Sequence, residues 1–303
     1  MNDGRTAELV IISGKGGTGK TSLAASFAVL AGSVVIADCD VDAADLHLVL
    51  QPGIVEKHQF IGGGKARIRA GHCIACGKCE ELCRYDAISF DGCGNGRVAK
   101  TFRIDPIACE GCGVCVRFCA EQAIDFAPTV NGEWYVSDTR CGPMVHARLG
   151  VAAENSGKLV SLVRGRARIL AQEAGKTVII TDGPPGIGCP VIASLTGATQ
   201  ALVVTEPTVS GEHDLDRVLA LTRHFCIPTA VCVNKWDLNP GMSERIEGRA
   251  RQAGATVAGR IRYDHAVTAA QIEGRAVIET AAPSAEDIRN VWAAIGIREE
   301  RAR

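Results

Sequence analysis

Short apolar runs recur along this chain, and most are followed by stretches with helical spacing of apolar positions. Residues 8–13, Glu-Leu-Val-Ile-Ile-Ser, predict a buried strand; a glycine-rich turn and a helix over 19–30 follow. Residues 33–38, Ser-Val-Val-Ile-Ala-Asp, predict a second strand. A strand–loop–helix–strand opening favours a parallel sheet with right-handed crossovers. The pattern then breaks, because residues 61–132 are rich in Gly and Cys and carry little helical periodicity. A helix returns at about 155–174, and strands are expected at 177–181, 200–205, 228–233 and 256–261. This predicts a two-part α/β domain, residues 1–60 and 133–303, with helices on both faces of its sheet, around an inserted domain at 61–132. An insert of that size is stable alone only with staples such as bound metal.

The insert contains a repeat. "CIACGKCEELCRYDAISF" from Cys73 and "CEGCGVCVRFCAEQAIDF" from Cys109 align at an offset of 36 residues. Each holds C-x₂-C-x₂-C-x₃-C, a spacing that lets one short loop bind three corners of an iron–sulfur cubane. Zinc sites instead use pairs of C-x₂-C separated by a longer spacer. The runs resemble those of bacterial-type ferredoxins, in which the fourth cysteine of each run ligates the other cluster. The resemblance implies a small α+β domain with two [4Fe–4S] clusters. One would be held by Cys73, Cys76, Cys79 and Cys119, the other by Cys109, Cys112, Cys115 and Cys83. Where a proline commonly follows the fourth cysteine, this chain has Arg84 and Ala120.

Residues 14–21, Gly14-Lys15-Gly16-Gly17-Thr18-Gly19-Lys20-Thr21, fit the phosphate-binding pattern G-x-x-x-x-G-K-[ST] between a strand and a helix. Glycines let backbone N–H groups turn inward around phosphate oxygens. Lys20 is expected at the β- and γ-phosphates and Thr21 on Mg²⁺. Lys15 is an additional lysine. With it the loop resembles the deviant Walker A ATPases, the MinD/ParA group that includes the nitrogenase iron protein and the Mrp-type cluster carriers. In that group the first lysine reaches the partner's nucleotide in an ATP-bound homodimer, so Lys15 is expected to act across a dimer. The resemblance extends to 38–48, where Asp40 would position the attacking water. It also covers 181–190, where Asp182 would hold a water on Mg²⁺ and Gly186 would offer its amide to the γ-phosphate. In "VNKWD", residues 233–237, Asn234 and Asp237 are candidates for base contacts. N-K-x-D is also how GTPases read guanine, so GTP stays open beside the favoured ATP.

Composition narrows the remaining classes. The 303 residues carry a net charge of −1, which gives no electrostatic case for nucleic acid or an anionic membrane. The first five residues lack a signal-peptide layout, and no window is long and apolar enough to span a membrane. Fourteen cysteines in a chain expected in the cytoplasm point to metal rather than disulfides. Cys189, seven residues after Asp182, matches the offset of a cluster-ligating cysteine in the nitrogenase iron protein and is a further candidate ligand. Cys141 is a candidate only because it is unassigned. Cys226 and Cys232 read as buried packing residues, as does Cys39. The stretch 140–160, with His146, Arg148, Glu154 and Asn155, reads as a join between insert and ATPase.

Three functions follow. The first is an Mg²⁺-dependent ATPase that couples dimerisation to electron transfer through two [4Fe–4S] clusters toward a redox or cluster-accepting protein. The second is an Mrp-like cluster carrier, although no C-x-x-C lies outside the two runs. The third, a MinD/ParA-like spatial organiser, predicts an amphipathic C-terminal helix, which the charged residues 297–303 do not provide.

Overall fold

The computed structural model describes residues 6–150 and 157–297. Glu154, Asn155 and the C-terminal residues 298–303 lie outside them. The described residues form two units. One comprises the chain up to His58, Trp134–Leu149 and the residues from 157 onward; the other comprises Gln59–Glu133 with Gly150.

The first unit begins with β1 (Ala7–Ser13), α1 (Lys20–Ala31), β2 (Val35–Asp38) and α2 (Leu46–Leu50). The chain enters the second unit along β3 (Gly53–Ile68). There it forms α3 (Lys78–Glu81), β4 (Ile88–Cys93), β5 (Lys100–Ile104) and α4 (Val114–Arg117). It returns along β6 (Ile124–Thr139) and turns into β7 (Gly142–Leu149). The alternation then resumes with α5 (Lys158–Glu173), β8 (Val178–Pro185), α6 (Cys189–Leu195), β9 (Gln200–Thr205) and α7 (Val209–His224). It closes with β10 (Thr229–Asn234), α8 (Pro240–Gln252), β11 (Thr256–Ile261), α9 (Ala266–Ile272) and α10 (Pro283–Ile295).

Nine strands form one sheet in the order β11-β10-β9-β1-β8-β2-β7-β6-β3. Pairing is parallel from β11 through β7. Period-two alternation in the central strands explains the two apolar layers. Leu9 and Ile11 of β1 join Leu202 and Val204 of β9 on one face, against Phe27 of α1 and Ile288 of α10. Val10, Ile12, Ala201 and Val203 face the other way, against Leu215 of α7 and Ile246 of α8. Strands buried on both faces read as continuous apolar runs, which is why they were legible.

Two expectations need correction. The sheet is not purely a strand–helix alternation, because β3, β6 and β7 extend it beyond β2. The stretch expected as a join contains β7, which pairs in parallel with β2 through Ile36↔Met144 and Ala37↔Val145. These strands are half-exposed and interspersed with charge, so they lack a continuous apolar signature. The second unit has its own small core of Ala66, Ala87, Ile88, Phe102, Ile104, Ala123 and Ile124 with Cys73 and Cys109. Its repeat is structural: Gly77 and Gly113, at equivalent positions, both have φ in the left-handed region and start α3 and α4.

Candidate nucleotide site and cysteine-lined cavities

The loop between β1 and α1 sits at the C-terminal end of the sheet, where open α/β folds bind ligands. A cavity of about 640 Å³ is lined there by Gly16, Gly17, Lys20, Thr21, Asp40 and Asn234 among others. A Cβ on Gly16 or Gly17 would meet nothing within 4 Å, so both backbones face open space. Gly14 serves packing instead: a Cβ there would lie 2.2 Å from the Cβ of Asp214 on α7.

Lys20 is buried, with Nζ 3.9 Å from Asp40 Oδ2. Asp182 is buried at the end of the apolar run of β8; neither carboxylate oxygen makes a hydrogen bond of normal geometry, although the Thr21 hydroxyl is near enough to favour its ionised form. Buried carboxylates without partners are costly unless a cation compensates them. Burial pushes the Asp182 carboxyl up to about 7, against the opposing pull of Lys20. Burial likewise raises Asp40 to about 6. Asp38, which no motif singles out, is fully buried beside Asp182 and Asp40 and is raised by burial and by both neighbours. The buried hydroxyl of Thr18 is also unpartnered. Orphaned acidic oxygens beside a phosphate loop, with Thr21 at hand, fit a divalent cation.

The sign of these shifts gives a pH prediction. A carboxyl raised by burial holds its proton in the fold after the unfolded chain has released it. The contribution of Asp182 to stability without nucleotide therefore falls as pH rises from about 4 to about 7. Asp182→Asn removes the contribution. Its unfolding free energy is expected to gain on that of the wild type across that window by about a few kcal/mol. Parallel curves for the two proteins would contradict the assignment. Mg²⁺ with nucleotide should flatten the wild-type slope, because the cation favours the ionised carboxylate.

Other candidates are placed differently from expectation. The Gly186 amide donates to the Ser13 carbonyl at 2.9 Å, so it is engaged within the loop rather than offered to phosphate. Asn234 donates its amide to the Thr18 carbonyl at 2.8 Å and braces the phosphate loop from beneath. Asp237 accepts from the backbone N–H of Tyr263 at 2.7 Å and does not line the cavity. It holds the segment carrying Arg262 and Tyr263, which do line it. Lys15 pairs with Glu206 at 3.4 Å and donates to Thr208 Oγ1 and Ser210 Oγ, each at 3.3 Å. Glu206 also holds Lys235, whose Nζ donates to the Gly17 carbonyl. Glu206 was missed; its only signal was its place just past the C-terminal end of the strand beside β1.

In the second unit the two runs cross. Cys73, Cys76, Cys79 and Cys119 line one cavity; Cys109, Cys112, Cys115 and Cys83 line another. Among the described residues no three His, Cys, Asp or Glu approach closely enough to hold a single metal ion. A cubane separates its thiolates more widely than one ion does. Burial pushes the Cys79 thiol up to about 11, with Cys73 and Cys76 adding to the rise. Burial also raises Cys115, with Cys109, Cys112 and Cys83 contributing. Such a set carries thiolates together only when a cationic centre compensates them. The amides of Ala75 and Ala123 donate to the sulfurs of Cys73 and Cys119.

The remaining cysteines divide by burial. Cys39, Cys141 and Cys232 are buried, so Cys141 is core packing and not a surface ligand. Cys226, expected to be buried, is exposed at a left-handed backbone position after α7. Cys189 is exposed at the first residue of α6.

Comparison with known proteins agrees with the nucleotide site. A family described as the CobQ/CobB/MinD/ParA nucleotide binding domain matches residues 9–277. An uncharacterised protein of Methanocaldococcus jannaschii is 34% identical over 236 residues, 77% of this chain and 79% of that one. The septum site-determining protein MinD of Pyrococcus horikoshii, solved with Mg-ADP, superposes with a TM-score of 0.54. It is 16% identical, over 96% of each chain. The ATP complex of McdA from Cyanothece gives 0.53 at 18% identity, over 98% of this chain and 99% of that one. No helix among the described residues is long and apolar enough to cross a membrane. The match across most of the chain and the lysine-bearing loop above its buried aspartates together place it in the CobQ/CobB/MinD/ParA family, as a P-loop ATPase of the MinD/ParA type.

Proposed function

We propose that this ATPase couples Mg²⁺-dependent nucleotide binding and dimerisation to electron transfer through two [4Fe–4S] clusters held by its cysteine-rich unit. The observation that carries the reading is the crossing of the two cysteine runs. The fourth cysteine of each lines the cavity of the other, the arrangement a di-cluster ferredoxin requires. When bound, the clusters supply one-electron redox chemistry. The chain's contribution is to shield them with Phe102, Ile104 and Ile124 and to donate amides to their cysteine sulfurs.

On the nucleotide side, Lys20 would bind phosphate, Thr21 would hold Mg²⁺ with Asp182 holding a water on it, and Asp40 would orient the attacking water. Asp40 belongs to the segment from which the chain proceeds into the insert, and such segments respond to the γ-phosphate. The acceptor would be a redox protein partner. The test is a redox titration of anaerobically purified protein, followed by electron paramagnetic resonance, with and without Mg-ATP. A nucleotide-dependent shift of potential or spectrum is expected. Absence of iron and sulfide from anaerobic protein would overturn the cluster assignment. Identical titrations would favour the second reading, an ATP-dependent cluster carrier, for which the exposed Cys189 is the one observation.

Lys15 supplies a separate test of dimerisation. Its ion pair with Glu206 is partly exposed and contributes no more than about 1 kcal/mol to stability. Lys15→Ala should therefore fold and bind nucleotide as a monomer while losing ATP-dependent dimers on size exclusion. Normal dimers in that variant would sink the role given to Lys15.

A further inference from the structure

The repeat makes Cys73 and Cys109 equivalent positions, and both are buried. Their backbone carbonyls are served by different chemistry. The Cys73 carbonyl accepts from the Asn95 side-chain amide at 2.8 Å, and the same amide nitrogen donates to the Ala70 carbonyl. The Cys109 carbonyl accepts from the ammonium of Lys65. A neutral dipole thus stands at one site where a full positive charge stands at the other.

The surrounding charges do not cancel this difference. Glu121 borders the first cavity and Glu110 the second, one carboxylate each. Lys78 also lines the first cavity, but Glu81 neutralises it at 3.0 Å. Among the described residues no carboxylate pairs with Lys65. Reduction adds a negative charge to a cluster, and a half-buried cation beside one of its ligands stabilises that charge more than a neutral amide does.

We propose that Lys65 makes the site of Cys109, Cys112, Cys115 and Cys83 the electron sink of the pair. The insert is then a directional relay from the Cys73 set to the Cys109 set. The inference rests on the two-cluster reading above. A low-potential one-electron donor supplies the electron. It passes from the reduced site of the Cys73 set to the oxidised site of the Cys109 set, with no bond formed or broken and no proton moved.

The test compares wild type, Lys65→Gln and Lys65→Arg in anaerobic dithionite titrations followed by electron paramagnetic resonance. Gln keeps a hydrogen-bond donor and removes the charge; Arg keeps the charge. Two separated potentials are expected in the wild type. Lys65→Gln should narrow the gap by about a tenfold change in electron partition, which is ~59 mV for a one-electron couple. Lys65→Arg should preserve it. An unchanged gap, a widened gap, or an equal shift of both potentials in Lys65→Gln would overturn the proposal. If Lys65→Gln loses iron, Cys76→Ser decides instead. Its remaining site must titrate at the higher wild-type potential, and the lower value would overturn the proposal. Iron and sulfide content of the wild type separates the two levels. Their absence defeats the cluster reading, whereas two clusters indifferent to the charge at residue 65 defeat only this inference.

Discussion

Lys20→Ala is expected to abolish ATP hydrolysis, with the turnover rate falling by at least about 10²-fold, as for loss of one preorganised donor to transition-state charge. The side chain is buried, and its ammonium is the cation facing Asp40 and acting on Asp182. No neighbouring group takes over. The nearby Lys235 is held by Glu206 and the Gly17 carbonyl on the outer side of the loop. The variant should also show where the buried charge is borne. Without Lys20, the aspartates at positions 40 and 182 lose their counter-charge, and breaking a buried pair costs about 3–5 kcal/mol when the remaining charge cannot neutralise. Here it can neutralise, because burial has already raised both carboxyls. The destabilisation should therefore be small near pH 5 and grow toward pH 8. Phosphate release and thermal denaturation at both pH values measure the two effects. Hydrolysis above a tenth of the wild-type rate would refute the assignment of Lys20.

The second large effect concerns the cysteines. Cys76→Ser and Cys119→Ser are expected to lose the same cluster, although residue 119 belongs to the second run. Cys83→Ser should lose the other cluster together with Cys112→Ser. Iron content should fall by half in each, and the remaining spectrum should be shared within each pair. If Cys119→Ser instead matched Cys112→Ser, the crossing would be wrong and each run would serve its own site. Loss of a cluster should also destabilise the unit. Of the nine buried residues in its core, five are alanine or cysteine, so little apolar area is left to hold it. Small units with such cores depend on staples. Limited proteolysis should cut the variants between 59 and 133 first.

Much of this was written in local sequence. The phosphate loop is a contiguous motif, and its strand–loop–helix setting follows from the apolar run of β1 and the pattern after Lys20. The strands β8, β9 and β10 were legible because each is buried on both faces. The repeat of eight cysteines and their crossed grouping also came from spacing and resemblance, without coordinates. What the sequence did not reveal depended on neighbours remote in the chain. The strands β3 and β6 are largely exposed, and β7 sets His146 and Arg148 among its apolar residues, so no periodicity marked them. The positions of Asn234, Asp237 and Gly186 were found, but their partners were not. Each of these groups is engaged by backbone of the loops around the site, a contact no motif encodes. Glu206 and Lys15 are distant in sequence and meet only because β9 lies beside β1. The difference between Lys65 and Asn95 is of the same kind. The repeat made the two cysteine sets look equivalent, and only packing decided which carbonyl received a charge. Spacing along the chain fixes local chemistry, because bonded neighbours share one geometry; long-range pairing is set by the fold, which brings unrelated residues to the same point.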